Sequence, residues 1–419
     1  MIKVCDAIMG AGKSSAAIRY MNEHSDQKFI YITPYLDEAS RIKTGCPKLK
    51  FVEPSDKIEK YNFRKSDHTT ALIKEGKNIT TTHQAFKRYS TETLDAIRQW
   101  GYTLIIDENL ELLEKYDIHA DDVQIALDAG YIKEENGVYS IQNEDYSGRM
   151  FKELFNFLHS RELVQITDNE QVSLYYWVLP HELITAFSDV FILTYLFQGQ
   201  SIRYFLDIYH IEYSFIGIER TPDGGYQFGE FPGYVPEYST NIKNMLHILD
   251  NDKMNSIGSD YYALSKNWFE RQENEEELAQ LKRNMHNYFN NIHVDIPANQ
   301  RMWGIYKSVE SSVRGKGYTK ACVTFNLKST NEYKGRKCLA YLPNIFMNVN
   351  EKKFYYKYGQ VVDEDMFALS VMIQWIWRSA IRDGEEIYLY IPSKRMRTIL
   401  TNWIETVSTE RSITNNENV

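Results

Sequence analysis

The feature that most constrains this chain is a glycine-rich turn close to the N-terminus. Residues 10–14 are Gly-Ala-Gly-Lys-Ser, and they lie between a short apolar run at 2–8 and an amphipathic helical pattern at 14–22. Glycines allow main-chain N–H groups to approach phosphate oxygens closely, and the N-terminus of the following helix adds a partial positive charge. The sequence therefore predicts a strand, a phosphate-binding loop and a helix, in that order.

The residues of this loop have separate expected roles in binding a nucleotide. Lys13 is expected to reach the β- and γ-phosphates, and the Ser14 hydroxyl is expected to bind Mg²⁺. The strict motif has Gly where this chain has Ala7, and loops that keep only Gly-x-Gly-Lys favour helicases over kinases and small GTPases. The predicted nucleotide-binding residues are Gly10, Ala11, Gly12, Lys13, Ser14 and Ser15.

A second motif combines an apolar strand with two acids. Residues 103–108 are Thr-Leu-Ile-Ile-Asp-Glu. In phosphate-loop enzymes a strand near the loop delivers an Asp to the Mg²⁺ shell, and a following Glu can polarise the attacking water. Asp107 is therefore predicted to act with Ser14 at the metal, and Glu108 is predicted to be the general base.

Composition excludes some classes of protein and leaves others open. A chain of 419 residues with 43% hydrophobic content is long enough for two or three domains. The net charge of -9 argues against a histone-like coat on DNA, although a locally basic groove is compatible with it. The four cysteines form no C-x-x-C pair and no zinc pattern, and no apolar run is long enough to span a membrane. Because a strand pattern begins at residue 2, we expect no signal peptide. We therefore expect reduced thiols and a cytoplasmic protein, in the host cytoplasm if a phage encodes it.

Short apolar runs separated by helical patterns predict an α/β fold with mostly parallel sheets. We place an N-terminal nucleotide domain at 1–205, with an acidic inserted lobe at about 111–146, and a second α/β domain at 206–419. Residues 219–238 are rich in Pro and Gly and are predicted to be a loop. The predicted strands are 2–8, 29–32, 103–106, 190–196, 213–218, 321–325, 338–342 and 387–391.

In their order along the chain, the motifs resemble those of superfamily 2 helicases, and more narrowly those of DEAD/DEAH-box helicase-like proteins of phages and prophages. The resemblance covers most of the chain. In the motif VI segment, Arg378 and Arg382 are four residues apart rather than three, which is still one helical turn and predicts that both share a face. Besides the loop and the acidic pair, similar segments occur at 31–38 (motif Ia), 80–83 (Ib), 193–195 (III), 329–333 (V) and 374–382 (VI).

The resemblance implies two RecA-like domains that hydrolyse ATP with Mg²⁺ between them and act on nucleic acid. One arginine of the second domain would serve as a finger on the γ-phosphate. The catalytic residues that it implies are Lys13, Asp107, Glu108, Gln374, Arg378 and Arg382. The residues expected to contact nucleic acid are Thr33, Pro34, Tyr35, Thr82, His83, Lys328, Thr330 and Asn331.

The expected function is therefore an ATP-dependent helicase or translocase of phage replication or recombination. Single-stranded DNA is the favoured partner, RNA is an alternative, and replication or recombination proteins are further candidate partners; the sequence does not fix the oligomeric state. Two other functions remain open, a DNA-packaging ATPase of the terminase class and a nucleotide-gated replication adaptor or loader that does not unwind. A terminase would need a C-terminal metal-binding acidic cluster, and the acidic run at 363–365 instead has the pattern of a helix N-cap.

Overall fold

The protein is described here by a computed structural model covering residues 1–34, 36–61, 63–108, 110–158, 162–168, 172–233, 239–325 and 332–416. Contacts divide the chain into two compact units, and each is described separately below. The first unit comprises Met1–Asp6, Gly12–Phe231 and Asn348–Val362. The second comprises Ala7–Ala11, Pro232–Met347 and Asp363–Val419.

Strands and helices alternate through much of the chain. The strands are β1 (Ile2–Asp6), β2 (Phe29–Thr33), β3 (Ile79–Thr82), β4 (Thr103–Asp107), β5 (Leu113–Tyr116), β6 (Ile132–Glu135), β7 (Val138–Ile141), β8 (Glu162–Asp168), β9 (Val172–Val178), β10 (Asp189–Thr194), β11 (Tyr213–Arg220), β12 (Tyr226–Gly229), β13 (Leu246–Ile248), β14 (Arg301–Gly304), β15 (Cys338–Tyr341) and β16 (Ile387–Tyr390).

The helices are α1 (Lys13–Glu23), α2 (Leu36–Gly45), α3 (Lys65–Lys74), α4 (His83–Phe86), α5 (Thr91–Trp100), α6 (Ala120–Asp128), α7 (Lys152–Leu158), α8 (Glu182–Thr185), α9 (Ser201–Ile208), α10 (Ser239–Met245), α11 (Asp252–Asn255), α12 (Lys266–Phe269), α13 (Glu275–Asn287), α14 (Glu310–Val313), α15 (Val349–Lys357), α16 (Glu364–Ile376) and α17 (Lys394–Asn416). Several short 3₁₀ turns connect them, among them Phe197–Gly199 and Ala380–Asp383.

The first unit is built on a parallel sheet. Among its described residues, seven strands follow the order β12-β11-β1-β10-β4-β2-β3, and all neighbours are parallel except the antiparallel edge pair of β11 and β12. Strands β2 and β4 are buried at every position, as expected for parallel strands that are covered on both faces. The predicted strands at 29–32, 103–106 and 190–196 are confirmed, with ends shifted by at most two residues.

Helix α1 packs against this sheet through small side chains. Ala16, Ala17 and Met21 are fully buried, and Ala17 and Met21 share a core with Phe29 and Tyr31 of β2. Alanines allow the helix to lie close to the strands, which fixes the position of the helix N-terminus relative to the end of β1. The segment before α1 is therefore held at both ends by buried elements.

A small antiparallel lobe is inserted between β4 and β10. Within the described part of the lobe, five strands follow the order β5-β9-β8-β7-β6, and α6 and α7 pack on them around an aromatic core. The lobe was expected at 111–146, but its strands extend from Leu113 to Val178. The expected range is shorter because β8 and β9 are apolar and alternate less clearly with charged residues than the segment before them.

The second unit contains a smaller parallel sheet. Within the described residues it has four strands, in the order β13-β16-β15-β14. The predicted strand at 321–325 is wrong: residues Thr319–Ala321 form a 3₁₀ turn, and Cys322 makes only an isolated bridge to Trp303. The run is apolar because Ala321 and Val323 are buried beside β14, not because it belongs to the sheet.

The α/β class, with mostly parallel sheets flanked by helices and an inserted lobe, is confirmed. The contact boundary near residue 231 differs from the expected boundary at 205/206, since β11 and β12 extend the sheet of the first unit. Part of the expected loop at 219–238 is this hairpin, because Pro222, Gly224 and Gly225 form its turn. No helix among the described residues is both long and apolar enough to cross a membrane.

Candidate nucleotide-binding site

The predicted phosphate loop and acidic motif meet at one edge of the first unit's sheet. Register pairs Asp6 at the end of β1 with Thr194 of β10, and Leu193 of β10 with Asp107 at the end of β4. Only β10 separates the strand that precedes the loop from the strand that carries the acids. The carboxyl edge of a parallel sheet is where ligands bind in open α/β folds.

The loop has the backbone conformation that its glycines were expected to provide. Gly10 and Gly12 have φ angles of +90° and +95°, which residues with a side chain rarely adopt. Gly12 is the N-cap of α1, and it has no side chain that could cap the helix. The first N–H groups of a helix have no acceptor within the helix, so this terminus is suited to an anion.

Gly12 is also required by its surroundings. A Cβ atom at this position would lie 2.4 Å from the ring of Tyr226 on β12. No ordinary side chain fits into that space, so the hairpin of β11 and β12 covers one side of the loop. Tyr226 was not identified from the sequence, because it lies in a stretch that was expected to be a loop.

Asp107 is held by two hydroxyl groups. Tyr31 on β2 donates a hydrogen bond of 2.7 Å to Asp107 Oδ2, and Ser14 Oγ donates a longer one of 3.4 Å to the same oxygen. The pKa of Asp107 is raised to about 7, chiefly by burial and next by the neighbouring Glu108 carboxylate, although the Tyr31 hydrogen bond and Lys13 act to lower it. Without a cation, the site therefore disfavours the charged form of this carboxyl group.

The surroundings of Lys13 likewise disfavour its charged form. Burial lowers the pKa of Lys13, and the negative groups around it, among them Asp107, Asp6 and Glu108, act in the other direction. A lysine and a buried carboxyl group with shifted pKa values are typical of functional sites. A bound triphosphate would favour the charged form of Lys13, and a bound divalent cation would favour that of Asp107.

Glu108 has an unusual backbone conformation. Its φ angle is +65°, and its N–H donates to the Leu193 carbonyl of β10 at 3.0 Å. A left-handed residue other than Gly, Asn or Asp is uncommon and is found preferentially at functional sites. The strained turn directs the chain away from β4 immediately after Asp107 and leaves Glu108 half exposed at the sheet edge.

Asp6 links the loop's strand to the segment after β10. Its buried carboxylate accepts hydrogen bonds from the main-chain N–H groups of Leu196 and Phe197, at 2.8 and 2.9 Å. Leu196 has a φ angle of +55°. The segment is fixed further by Gln200, which accepts a bond from Thr194 Oγ1 and donates one to the Tyr195 carbonyl. The predicted motif III residues, 193–195, thus lie beside β1, and Asp6 is a contact that the sequence did not indicate.

The residues of the motif VI segment lie in different environments of the second unit. Gln374 is half-buried on α16. Arg378 is buried and donates to the Thr324 carbonyl at 3.5 Å. The expectation that Arg378 and Arg382 share one helical face is wrong: α16 ends at Ile376, and Arg382 belongs to the 3₁₀ turn Ala380–Asp383.

Arg382 is exposed and lies against the segment 7–11, which contacts assign to the same unit. A Cβ atom on Gly10 would be 3.5 Å from Arg382 Cγ and 3.7 Å from its Nε. Of the two arginines, Arg382 is therefore the one with a contact to a glycine of the loop.

Four of the residues predicted to contact nucleic acid lie at the ends of neighbouring strands: Thr33 of β2 pairs in register with Thr82 of β3, and Pro34 and His83 follow them. Thr33 is fully buried, Pro34 is half-buried, and Thr82 Oγ1 accepts the Ala85 N–H as the N-cap of α4. His83 is buried, and its Nε2 lies 2.9 Å from the Asp107 carbonyl. Tyr35, Lys328, Thr330 and Asn331 lie outside the described residues.

The donors present fit a magnesium ion that is shared with a nucleotide. Within the described residues, no group of three or more His, Cys, Asp and Glu side chains is arranged to hold a metal by itself. In nucleotide sites, Mg²⁺ is bound by one or two protein oxygens together with phosphate oxygens and water. Ser14 Oγ and Asp107 Oδ2, which are 3.4 Å apart, would provide those protein oxygens.

Comparisons with known proteins agree on a prophage relative. The chain is 38% identical over 413 residues to the SPbeta prophage-derived uncharacterized protein YonV of Bacillus subtilis (strain 168), covering 96% of this chain and 98% of that protein. The family described as the YonV C-terminal Rossmann-like domain matches residues 240–404, of which 348–362 belong to the first unit and the others to the second.

Solved structures show only distant similarity. An apo XPD structure and Xpd4 of S. tokodaii have 11% and 12% identity and TM-scores of 0.47 and 0.46, with 96% of this chain and 95% and 94% of those chains covered. A DEAD box protein of the hyperthermophile Methanococcus jannaschii has 13% identity and a TM-score of 0.25, with coverage of 97% and 86%. TM-scores below 0.5 do not by themselves establish a common fold. The sequence similarity, which extends over nearly the full length of both chains, does establish homology. The chain belongs to the YonV family.

Proposed function

We propose that this chain is an ATP hydrolase that acts on nucleic acid as a helicase or translocase. The observation that carries the proposal is the convergence of Lys13 and Ser14, at the start of α1, with Asp107, at the end of β4. A lysine at a helix N-terminus and a buried carboxyl group at the end of a nearby strand are the parts that a phosphate-loop ATPase needs. The prophage relative supports a role in phage DNA metabolism, in the cytoplasm of the host.

In this proposal each residue of the first unit has one task. Main-chain N–H groups of Gly10, Ala11 and Gly12 and the Lys13 ammonium group bind the phosphates, and Ser15 completes the loop. Ser14 and Asp107 hold Mg²⁺, which neutralises phosphate charge when it is bound. Glu108 orients and deprotonates the attacking water, and its half-exposed position at the sheet edge is compatible with access to that water.

The second unit would complete catalysis with an arginine. Arg382 is the stronger candidate for the finger, since it is exposed and packs against Gly10, whereas Arg378 is buried and bonded to a carbonyl. Gln374 would orient the water or sense the γ-phosphate. The nucleic-acid contacts proposed at Thr33, Pro34, Tyr35, Thr82, His83, Lys328, Thr330 and Asn331 stay proposals; the burial of Thr33 and His83 favours a role through neighbouring main chain.

The test is a phosphate-release assay on the full chain with ATP and Mg²⁺, alone and with single-stranded DNA, RNA or duplex DNA. Hydrolysis that nucleic acid stimulates is the expected result. Lys13→Ala should reduce the rate by at least about 100-fold, comparable to the loss of one preorganised donor to the reacting group. A Lys13→Ala rate near that of the wild type would disprove the phosphate-loop assignment, and turnover unaffected by any nucleic acid would favour the adaptor.

Two further variants separate binding from chemistry. Glu108→Gln should bind a fluorescent ATP analogue with near wild-type affinity and hydrolyse ATP slowly. Arg382→Ala should also bind the analogue with near wild-type affinity, and its rate of ATP hydrolysis should fall by at least about 10³-fold, as expected for an arginine finger. If Arg378→Ala slows hydrolysis and Arg382→Ala does not, the roles of the two arginines are reversed.

A further inference from the structure

The second unit carries an exposed cluster of aromatic rings. Tyr261 and Tyr262 are 52% and 68% exposed, which is unusual for neighbouring aromatic residues. Their ring centroids are 4.9 Å apart at an angle of 87°, and both contact Phe346, at 5.7 and 5.5 Å. We call Tyr261, Tyr262 and Phe346 the ring cluster.

The main chain below the ring cluster is rigid. Asn344, which is fully buried, donates from Nδ2 to the carbonyls of Tyr261 and Ala263, at 2.8 and 3.0 Å. Its N–H donates to the carbonyl of Leu264, a fully buried residue with a φ angle of +63°. The two tyrosines therefore lie at the tip of a turn whose base is fixed, so that little conformational entropy remains to be lost on binding.

A buried guanidinium group supports the cluster from beneath. Arg395 Cζ lies 4.2 Å from the Phe346 ring centroid and 5.5 Å from that of Tyr261. Its nitrogens donate to Asn344 Oδ1 and the Ile345 carbonyl, and they form an ion pair with Asp365. Since these bonds fix the guanidinium plane, Phe346 has a defined position and so do the tyrosines that pack on it.

The position of the ring cluster indicates the chemistry of its ligand. Phe346 and Asn344 follow the end of β15, and Arg395 follows the end of β16, so the rings lie at the carboxyl edge of the parallel sheet. This edge is the usual ligand side of an open α/β sheet. The surrounding residues Asp260, Lys266 and Lys394 are polar and exposed, which makes the apolar footprint small.

A footprint of three rings is too small for the core of a stable protein interface, which buries about 1,200–2,000 Å². It suits one or two nucleobases, because every base has a π face and stacks on aromatic side chains with little sequence preference. We propose that the ring cluster is a base-stacking platform for single-stranded nucleic acid, in which Tyr261 and Tyr262 contact the bases. This inference rests on the proposed function and names a contact that the helicase motifs do not include.

The experiment measures binding of the full chain to fluorescein-labelled oligothymidylate by anisotropy, without nucleotide. A strand of about 20 nucleotides exceeds the site size of about 4–16 nucleotides per single-strand module. A strand of equal length and charge, with abasic residues throughout, is the matched probe without bases. Tyr261→Ala and Tyr262→Ala should each weaken binding of oligothymidylate by about fivefold or more, the effect of losing one stacked base. Tyr262→Trp should retain the affinity, because it keeps a stacking surface.

Tyr356→Ala is the matched control, since Tyr356 is 54% exposed on α15 of the first unit, away from the ring cluster in the sequence. It should bind oligothymidylate as the wild type does. Thermal unfolding of Tyr262→Ala should match the wild type, because the side chain is largely exposed. The abasic strand should bind the wild type and Tyr262→Ala with equal and weaker affinity.

Three results would overturn the platform: no binding of oligothymidylate by the wild type, equal affinities for wild type and both alanine variants, or the same loss with the abasic strand as with oligothymidylate. The last result would indicate a contact to the backbone. The proposed function fails separately, if the wild type does not hydrolyse ATP or if Lys13→Ala hydrolyses it at the wild-type rate. A chain that stacks bases on the ring cluster and does not hydrolyse ATP would retain the platform and lose the motor.

Discussion

The carboxyl edges of the two parallel sheets differ in the environment that they give to charged side chains. In the first unit, Asp107 is buried and Lys13 is half-buried, and burial shifts the pKa of each toward the neutral form. In the second unit, Arg395 is buried, but its nitrogens bond to Asn344, Ile345 and Asp365. One edge thus disfavours the charged forms of its side chains, and the other holds a charge that three residues compensate.

This difference shows what each edge is built to receive. An edge at which burial opposes the charged forms of a lysine and an aspartate gains stability from a charged ligand, which fits a nucleotide with a divalent cation. The compensated edge, at which Arg395 bonds to three residues, offers exposed rings instead. The two edges therefore predict different responses to pH and to substitution.

The largest expected effect is a pH-dependent loss of stability that Asp107→Asn removes. The pKa of Asp107 is raised from 3.8 to about 7 in the folded state, so the folded protein binds this proton more tightly than the unfolded chain does. The resulting contribution to the free energy of unfolding is fully present below about pH 4 and is lost as the pH rises to 7. Three pKa units correspond to about 4 kcal/mol as an order of magnitude. Between pH 5 and 8, the nucleotide-free wild type should lose thermal stability relative to Asp107→Asn, in thermal melts of both.

The control for this measurement is Asp189→Asn, at the opposite end of β10, where the carboxylate pairs with Lys3 at the surface. It should keep the pH-dependent loss of the wild type. Addition of Mg²⁺ and ATP should stabilise the wild type more at pH 8 than at pH 6, since cation binding requires the carboxylate. If the thermal stability of the wild type and of Asp107→Asn changed equally with pH, Asp107 would not be the cause of the pH-dependent loss.

Local patterns predicted five of the seven described strands of the first unit's parallel sheet and two of the four described strands of the second unit's sheet, and they missed β3, β12, β13 and β14. The strands at 29–32 and 103–106 are apolar, short and bounded by helical patterns, and the structure confirms them. The run at 321–325 has the same composition but packs beside β14 without joining the sheet, since hydrophobicity reports burial and not pairing. The hairpin of β11 and β12 was missed because its turn residues dominate the composition of the segment.

The residues of the candidate site also fall into two groups, those that a local motif indicates and those that only the fold brings together. Gly10, Gly12 and Lys13 form a contiguous motif, so the loop was identified without knowledge of the fold. Tyr31 and Asp6 interact with residues 76 and about 190 positions away, and only strand order brings those residues together. The predicted shared face of Arg378 and Arg382 assumed an unbroken helix, and α16 ends before either of them.

A smaller effect is expected at the compensated edge, where Arg395→Met should destabilise the second unit. The substitution leaves the buried Asn344 Oδ1 and the Ile345 carbonyl without these donors, at a cost of about 1–3 kcal/mol in unfolding free energy. Arg314→Met removes an exposed pair with Glu310 and should cost less unfolding free energy than Arg395→Met does, because solvent screens an exposed ion pair. Chemical denaturation of the three proteins checks this order, and unchanged stability in Arg395→Met would contradict the view that this edge depends on its guanidinium group.

The smallest and most specific effect is expected from Tyr31→Phe. The Tyr31 hydroxyl donates to Asp107 Oδ2 and lowers the pKa of that carboxyl group, so its removal should raise this pKa. Since Mg²⁺ requires the carboxylate, the acid limb of the ATPase pH profile should shift toward higher pH. Tyr102→Phe is the control, because the Tyr102 hydroxyl donates to the Lys77 carbonyl and not to a carboxylate. It should lower stability and leave the profile in place; an identical shift in both variants would mean that the profile reports unfolding and not the charge at the first edge.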